Sequence, residues 1–341
     1  MTKPEDNAEE NLDHIFDKER ITLSITDKDL KEFKRLDQFL AKKVTAFSRT
    51  FLKSLFLMGK IGIESSEENQ NPAKLELKKM PHAGTKIFIE IPPPIPIKAK
   101  AEDIPLEILY EDKHLVFVNK APGMVTHPAP GNYTGTLVNA ILHHCPNLGR
   151  IGSSERPGIV HRLDKGTSGV MVVAKNQKTL EGLIELFSKH DINRIYEALT
   201  IGTKMPPQGT LESNIGRHPR HRQKMACNVN NGKDAKTYYK ALNFFDNFTH
   251  VELKLETGRT HQIRVHLSSL LNSAILCDPL YGNPSHHIQR LGNKFAFLKK
   301  YPHPLLHAKT LGLIHPITKE ELTFTVEAPE IFRKVLTVGK S

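Results

Sequence analysis

The stretch Arg156–Asn176, RPGIVHRLDKGTSGVMVVAKN, constrains this chain more than any other. A charged group, His161-Arg162-Leu163-Asp164, leads through a turn of small residues (Gly166, Thr167, Ser168, Gly169) into a fully apolar strand expected at 170–175. Unbroken apolarity over so short a run marks a buried strand. Loops carried on buried strands are where rigid scaffolds place reactive groups. The strand therefore needs a substantial domain around it. With 341 residues and 38% hydrophobic content, the chain can build one without metal or disulfide staples.

Further strands are expected at 114–119, 195–200, 237–242, 250–255 and 322–326, and helices at 135–144, 178–188 and 261–272. They follow no regular βαβ rhythm, which argues against a doubly wound parallel sheet and for an α+β fold. Residues 1–19 carry seven acids and two lysines and read as a flexible acidic tail. Over 20–64 the sign reverses, with ten Lys/Arg against five Asp/Glu. Leu36, Phe39, Leu40 and Val44 recur at helical spacing there. Ser48 stands where an N-cap belongs, ahead of a second stripe of Phe51, Leu52, Leu55 and Phe56, and Gly59 can stop that helix. Lys42, Lys43, Arg49, Lys53 and Lys60 fall mainly off these stripes, giving a helix-turn-helix with a charged outer face. Residues 65–74 read as a loop, 85–91 as a strand ended by Pro92-Pro93-Pro94, and 92–105 as a stiff Pro-rich linker. The domains are therefore expected at 20–91 and 106–335.

The net charge of +11 points to a polyanionic partner. The stretch 217–240 has seven Lys/Arg and one Asp, Arg217, Arg222 and Lys224 among them, interleaved with His218, His221, Tyr238 and Tyr239. It reads as an RNA-tracking surface or as a solvated charged hairpin. Cys145, Cys227 and Cys277 are too far apart for CxxC chemistry. Their odd number and an N-terminus without an apolar leader fit a reducing cytoplasm. No apolar run reaches 18 residues, so no membrane span is expected. His143-His144, His286-His287 and His303 with His307 have no carboxylate at ligand spacing, and HExxH is absent, so no metal is expected. GxxxxGK[ST], GxGxxG and GxSxG are absent as well.

Two stretches remain for chemistry. Asp164 is flanked by His161, Arg162 and Lys165, cations that favour an ionised carboxylate able to act as nucleophile or base. The bland alternative is an Asx-turn residue bonded to its own loop. In ETGRTHQIRVHL, 256–267, Arg259, His261, Arg264 and His266 crowd together, and Thr260 can cap a helix whose apolar face uses Ile263, Leu267, Leu270 and Leu271. That is either a phosphate site at a helix N-terminus or a solvated basic helix.

Together these motifs resemble the RluA-type pseudouridine synthases. GIVHRLDKGTSGVMVVAKN is similar to that family's catalytic motif, and ILYEDKHLVFVNKAPGMVTHPAPGNYTGTLVNAIL (108–142) to its first. TGRTHQIRVHL (257–267) with DPLYG (278–282), and LLHAKTLGLIHPITKEELTFTVEAP (305–329), resemble the later ones. Residues 35–64 resemble the alpha-L RNA-binding domain, and GRHPRHRQKMA (216–226) leans toward the RluD type over the RluC type. The resemblance implies a catalytic domain with a mixed, mostly antiparallel sheet and a small N-terminal α/β RNA-binding domain. It implies isomerisation of uridine to pseudouridine in large-subunit (23S) ribosomal RNA by a chain expected to be a monomer, without cofactor or metal. Asp164 matches the family's essential aspartate, Tyr196 its uracil-stacking tyrosine, and Arg264 the basic partner of the aspartate. Arg162 matches the residue thought to fill the gap left by the flipped uridine. RNA contacts are further expected from His161, Arg217, Arg222, Lys224, Arg259 and His261 in the large domain and from Lys42, Lys43, Arg49 and Lys53 in the small one. The chain departs from the pattern at Arg194, where the family usually has Lys, and at Cys277, where Gly is common.

Overall fold

A computed structural model describes residues 20–44, 49–64, 75–91, 99–129, 131–152 and 156–340. The chain divides into two units, Met1–Ile95 and Pro96–Ser341. The acidic tail, Ser48, the loop 65–74 and residues 92–98 of the expected linker lie outside the described residues.

The first unit contains β1 (Arg20–Ser24), α1 (Asp27–Glu32), α2 (Leu36–Lys43), α3 (Arg49–Leu57), β2 (Ile61–Ile63) and β3 (Lys86–Glu90). Its antiparallel sheet has the order β1-β3-β2 and shares a core with the helices through Leu36, Phe39, Leu40, Leu52, Leu55, Ile87 and Ile89. Thr26 and Asp29 cap α1 reciprocally. Gly59, at φ +71°, ends α3: its N–H reaches Phe56 O at 3.0 Å and Lys60 N reaches Leu55 O at 2.8 Å. This small helical unit with a three-stranded sheet fits the alpha-L type.

The second unit contains β4 (Glu107–Glu111), β5 (Leu115–Lys120), α4 (Leu137–His144), β6 (Ser168–Ala174), α5 (Gln177–Ser188), β7 (Asn193–Ile201), β8 (Gln208–Arg217), β9 (Met225–Cys227), β10 (Lys233–Phe244), β11 (Phe248–Leu255), α6 (Gln262–Leu270), α7 (Pro284–Leu291), β12 (Leu306–Ile314), β13 (Glu321–Thr325) and α8 (Glu330–Lys340). The sheet runs β4-β5-β6-β12-β7-β11-β10-β8-β9, with β13 on β12. Among the described residues only β6 and β12 pair in parallel, so it is mixed and mostly antiparallel. β6 lies between two neighbours and is buried along its whole length, as its apolar run requires.

Several details differ from the sequence reading. Residues 99–105 are no free linker: Asn139 donates to Lys100 O at 2.7 Å, and Glu102 accepts from Gly135 N at 2.9 Å. The short polar connection folds onto α4 because Asn139, fully buried in its capping box with Thr136, needs a partner for its amide. The expected end at 335 falls inside α8, which continues to Lys340. Strands β4, β8, β9 and β12 and helices α7 and α8 were not expected; in β8 and β12, Gly, Ser and Lys interrupt the apolar pattern and only sheet pairing reveals the strands.

Candidate active site

Asp164 stands in the turn before β6, and its backbone closes that turn: Thr167 N donates to Asp164 O at 3.0 Å. Thr126 Oγ1 ties the neighbouring Leu163 O at 2.9 Å, and Gly123 N ties Lys165 O at 2.8 Å. Its carboxylate does not serve its own loop. Arg264 Nη1, from α6, donates to Oδ2 at 3.0 Å, and His261 Nε2 lies 3.8 Å from the same oxygen. The Asx-turn alternative fails because the side chain points across the domain.

Arg264 is held from behind. Its Nε and Nη2 bond the two oxygens of Asp278 at 2.7 and 2.9 Å, and Leu280 N and Tyr281 N also donate to Asp278 Oδ1. Arg264 is 5% exposed and Asp278 0%. Burial opposes both charges. The bonds to Asp278, then the charge of Asp164, outweigh it at Arg264 and keep the guanidinium protonated. Arg264 in turn holds Asp278 below the usual carboxylate range. Cys277, beside it, sits at φ +61°, which explains why glycine suits that position.

Tyr196 lies on β7, 9% exposed, and burial pushes its phenol up to about 12, so it remains protonated at neutral pH. Asp164, Tyr196, Arg264, Arg162, His161, Arg259 and His261 line one cavity of about 570 Å³. Their places in the sequence run from 161 to 264; the sheet order brings β6, β7 and the β11–α6 connection together.

Several expected roles change. α6 is not a solvated basic helix: Gln262 to Leu267 are all buried. Thr260 does not cap it. His261 occupies the N-cap with φ +56° and no side-chain capping bond, and Gln262 instead anchors the turn through Lys236 O and Thr237 Oγ1. Left-handed backbone in a non-glycine residue is a local strain of about 1–2 kcal/mol and tends to occur at functional sites. His266 bonds Ser213 and Thr237, and burial holds it neutral at about 4. His161 stacks on Phe187 and accepts Val172 N–H at 3.1 Å. Burial and then Arg194 push its pKa down to about 3, so it offers no positive charge to RNA or to Asp164.

Arg162 is exposed at the cavity, whereas Arg259 is partly tied by Asp234 O at 2.9 Å. Arg217 and Arg222 are exposed on the β8–β9 hairpin, outside the cavity lining. Lys224, half-buried there, lies 6.0 Å from the Tyr281 ring. In the first unit Lys42 and Lys53 are exposed, while Lys43 pairs with Asp29 at 2.9 Å and Arg49 with Asp37 at 3.3 Å. Tertiary structure also corrects the metal argument. Glu111 comes from β4 to His144 and Cys145, with ligand atoms within 4.8 Å of one another. Lys175 Nζ, 2.5 Å from Glu111 Oε1, already neutralises that carboxylate.

The sequence reading gave no role to Asp278, Tyr281 or Lys120. Tyr281 Oη accepts Met225 N–H at 2.7 Å and lies 2.8 Å from His261 Nδ1, and its ring lies 5.1 Å from the Arg264 guanidinium. Burial keeps His261 neutral. The bond at Nδ1 orients the ring so that Nε2 faces Asp164 Oδ2 at 3.8 Å. Lys120 is fully buried, donates to Ala121 O and Met124 O, and is pushed by burial down to about 7. A lysine closing the apolar run LVFVN was the available signal for it. Asp278 and Tyr281 were visible only within the DPLYG motif.

Residues 114–269 match the RNA pseudouridylate synthase family. Ribosomal large subunit pseudouridine synthase D of Zymomonas mobilis is 43% identical over 298 residues, covering 87% of this chain and 90% of that protein. The chain belongs to this family. The synthase of the same description from Pseudomonas aeruginosa is 38% identical and covers 89% of this chain and 91% of its own. The solved structure of human RNA pseudouridylate synthase domain containing 4 superposes with a TM-score of 0.51 at 30% identity, over 69% of this chain and 93% of that one. The synthase is thus an isomerase of the RluA type, RluD-like in its relatives. None of its helices, among the described residues, is long and apolar enough to cross a membrane.

Proposed function

We propose that this synthase converts uridines of large-subunit (23S) ribosomal RNA to pseudouridine, with Asp164 as the catalytic carboxylate acting on a flipped-out uridine. The observation that carries the reading is the chain Asp164–Arg264–Asp278, which fixes one carboxylate at a cavity whose wall carries Tyr196. A uridine inside a stacked helix cannot bring its ribose to that carboxylate, so the target nucleotide leaves the stack. Asp164 acts at the ribose, by attack on C1′ or by removal of the 2′ proton. The uracil then separates, turns and rejoins through C5. Tyr196 offers the uracil an apolar ring, and Arg162, exposed beside the cavity, is free to stack in the vacated space. The exposed Arg217, Arg222, Lys42 and Lys53 suit phosphate contact. The large-subunit assignment rests on the relatives named for that activity.

Pseudouridine mapping by carbodiimide and primer extension on large-subunit, small-subunit and transfer RNA transcripts tests the substrate. Modification confined to other RNAs would refute it. Asp164→Asn should abolish turnover while RNA affinity stays within about tenfold, roughly 1.4 kcal/mol. Turnover retained in that variant would sink the mechanism.

A further inference from the structure

Arg194 differs from every other cation of the cavity. It precedes Tyr196 by two residues on β7, so both side chains stand on the same face of the sheet. It is 7% exposed. Its Nη2 donates to Glu256 O at 2.7 Å and its guanidinium lies 5.7 Å from the Phe187 ring centroid. Its Nε has no partner, and among the described residues no carboxylate lies within ion-pair distance. Arg264, which lines the same cavity, has two acids. At Gly258 a Cβ would stand 2.9 Å from Arg194 Nη1, so the missing side chain leaves room for the guanidinium.

Burying a charge without a counter-charge costs several kcal/mol, and one hydrogen bond to a carbonyl does not offset that. An anion that arrives with the substrate would. Phosphates have exposed cations available to them at the cavity, Arg156 and Arg162. Arg194 is enclosed beside Tyr196, where the reading above puts the uracil. When the C1′–N1 bond breaks, its electron pair leaves with the base, and the resulting negative charge spreads over N1, O2 and O4. The vacancy at C1′ is filled by an Asp164 oxygen or, if the 2′ proton has gone to Asp164, by a C1′–C2′ double bond. C5 then joins C1′, either displacing the Asp164 oxygen from it or adding to the C1′–C2′ double bond while Asp164 returns its proton to C2′; the ring loses the C5 proton and gains one at N1, and the isomerisation balances. Either route produces the same uracil anion. A planar fork of N–H donors fits the planar carbonyl edge of that anion.

We propose that Arg194 is a catalytic residue that binds the uracil ring and stabilises the uracil anion formed on glycosidic cleavage. This rests on the proposed reaction but not on which group acts at the ribose.

The test compares full-length wild type, Arg194→Met and Arg194→Lys in single turnovers on one RNA carrying either uridine or 5-fluorouridine at the target. Consumption of the starting nucleoside is the readout. Fluorine stabilises the departing anion, so a residue that does the same matters less on that substrate. Arg194→Met should slow uridine consumption about 10²–10³-fold, as removal of an anion-stabilising donor does elsewhere. Its loss on 5-fluorouridine should be at least tenfold smaller, with Arg194→Lys between. RNA affinity should stay within tenfold, and Tm should hold or rise because an unpaired buried charge has gone. Equal losses on both substrates would overturn the proposal, with a lowered Tm marking a structural role instead. A loss confined to affinity, with the salt slope reduced by about 0.7, would mark a phosphate contact and overturn it too. Activity surviving in Asp164→Asn would refute the role of Asp164 and leave the leaving-group comparison intact.

Discussion

Asp278→Asn probes the ion network most directly. The carboxylate is completely buried and accepts from Arg264 Nε and Nη2 and from two backbone amides. An asparagine can keep Oδ1 toward Leu280 N, Tyr281 N and Arg264 Nη2, but its Nδ2 then faces Arg264 Nε, donor against donor. Breaking a buried pair by removing one partner costs about 3–5 kcal/mol. The bonds kept at Oδ1 bring the expected loss to about 3 kcal/mol, or about 6–12 °C in Tm for a unit of this size. Urea unfolding of the full chain at pH 7 measures it. Turnover should drop at least tenfold, because Arg264 loses its Nε bond and the negative charge of Asp278, which together hold it with Nη1 aimed at Asp164. The effects of Asp278→Asn and Asp164→Asn on stability should also be non-additive by about 0.5–3 kcal/mol, since both act through Arg264. A loss below about 1 kcal/mol, or additivity within about 0.5 kcal/mol, would refute the network as described.

Three further outcomes follow from the same structure. Glu197 lies beside His250 and Lys309; burial opposes its charge, but these partners outweigh it and hold the carboxyl down at about 2. Its contribution, up to about 3 kcal/mol, is complete above the unfolded value near 4.5 and is lost as pH falls toward 2. Glu197→Gln should therefore lie well below wild type in urea unfolding at pH 7 and converge with it in acid; a gap independent of pH contradicts this. Lys120 carries a penalty instead of a contribution, since burial opposes its charged form and puts its folded value at about 7, below the unfolded 10.5. Below pH 7 its burial penalty is complete, and from pH 7 to 10.5 the unfolded chain holds the extra proton and stability rises. Wild type should gain on Lys120→Met between pH 7 and 9, and parallel stability curves would exclude the effect. Tyr281→Phe keeps the ring near Arg264 but loses the hydroxyl that fixes His261. Single-turnover rate should fall about tenfold with a stability loss of about 1–2 kcal/mol, and an undiminished rate would show that the orientation of His261 is unimportant.

The elements with strong local periodicity were legible in the sequence. The apolar runs of β5 and β6, the alternation of β11 and the stripe of α5 all appear within a few residues of their expected bounds. Strand β8 was not legible, because Gly209 and the polar residues of GTLESN carry no clear alternation, and its neighbours β10 and β9 define it. Histidines were the least legible residues of the site. His161, His261 and His266 read as part of a basic cluster, yet all three are held neutral by burial.

The sequence by itself determined the α+β class, the basic character of the stretches on either side of the catalytic motif, and the candidacy of Asp164, Tyr196 and Arg264. The class, the charge and the candidacy of Asp164 depend on residue type and on spacings of a few residues, while Tyr196 and the pairing of Arg264 followed from the resemblance of whole motifs to the family's. Only the tertiary structure decided which charges meet. Arg264 reaches Asp164 across 100 residues and is clamped by Asp278, while Arg194, equally basic on paper, is buried with no acid in ion-pair distance among the described residues. Ion pairing depends on distance and on exclusion of water, and both are set by the order in which the sheet assembles its strands rather than by any local pattern.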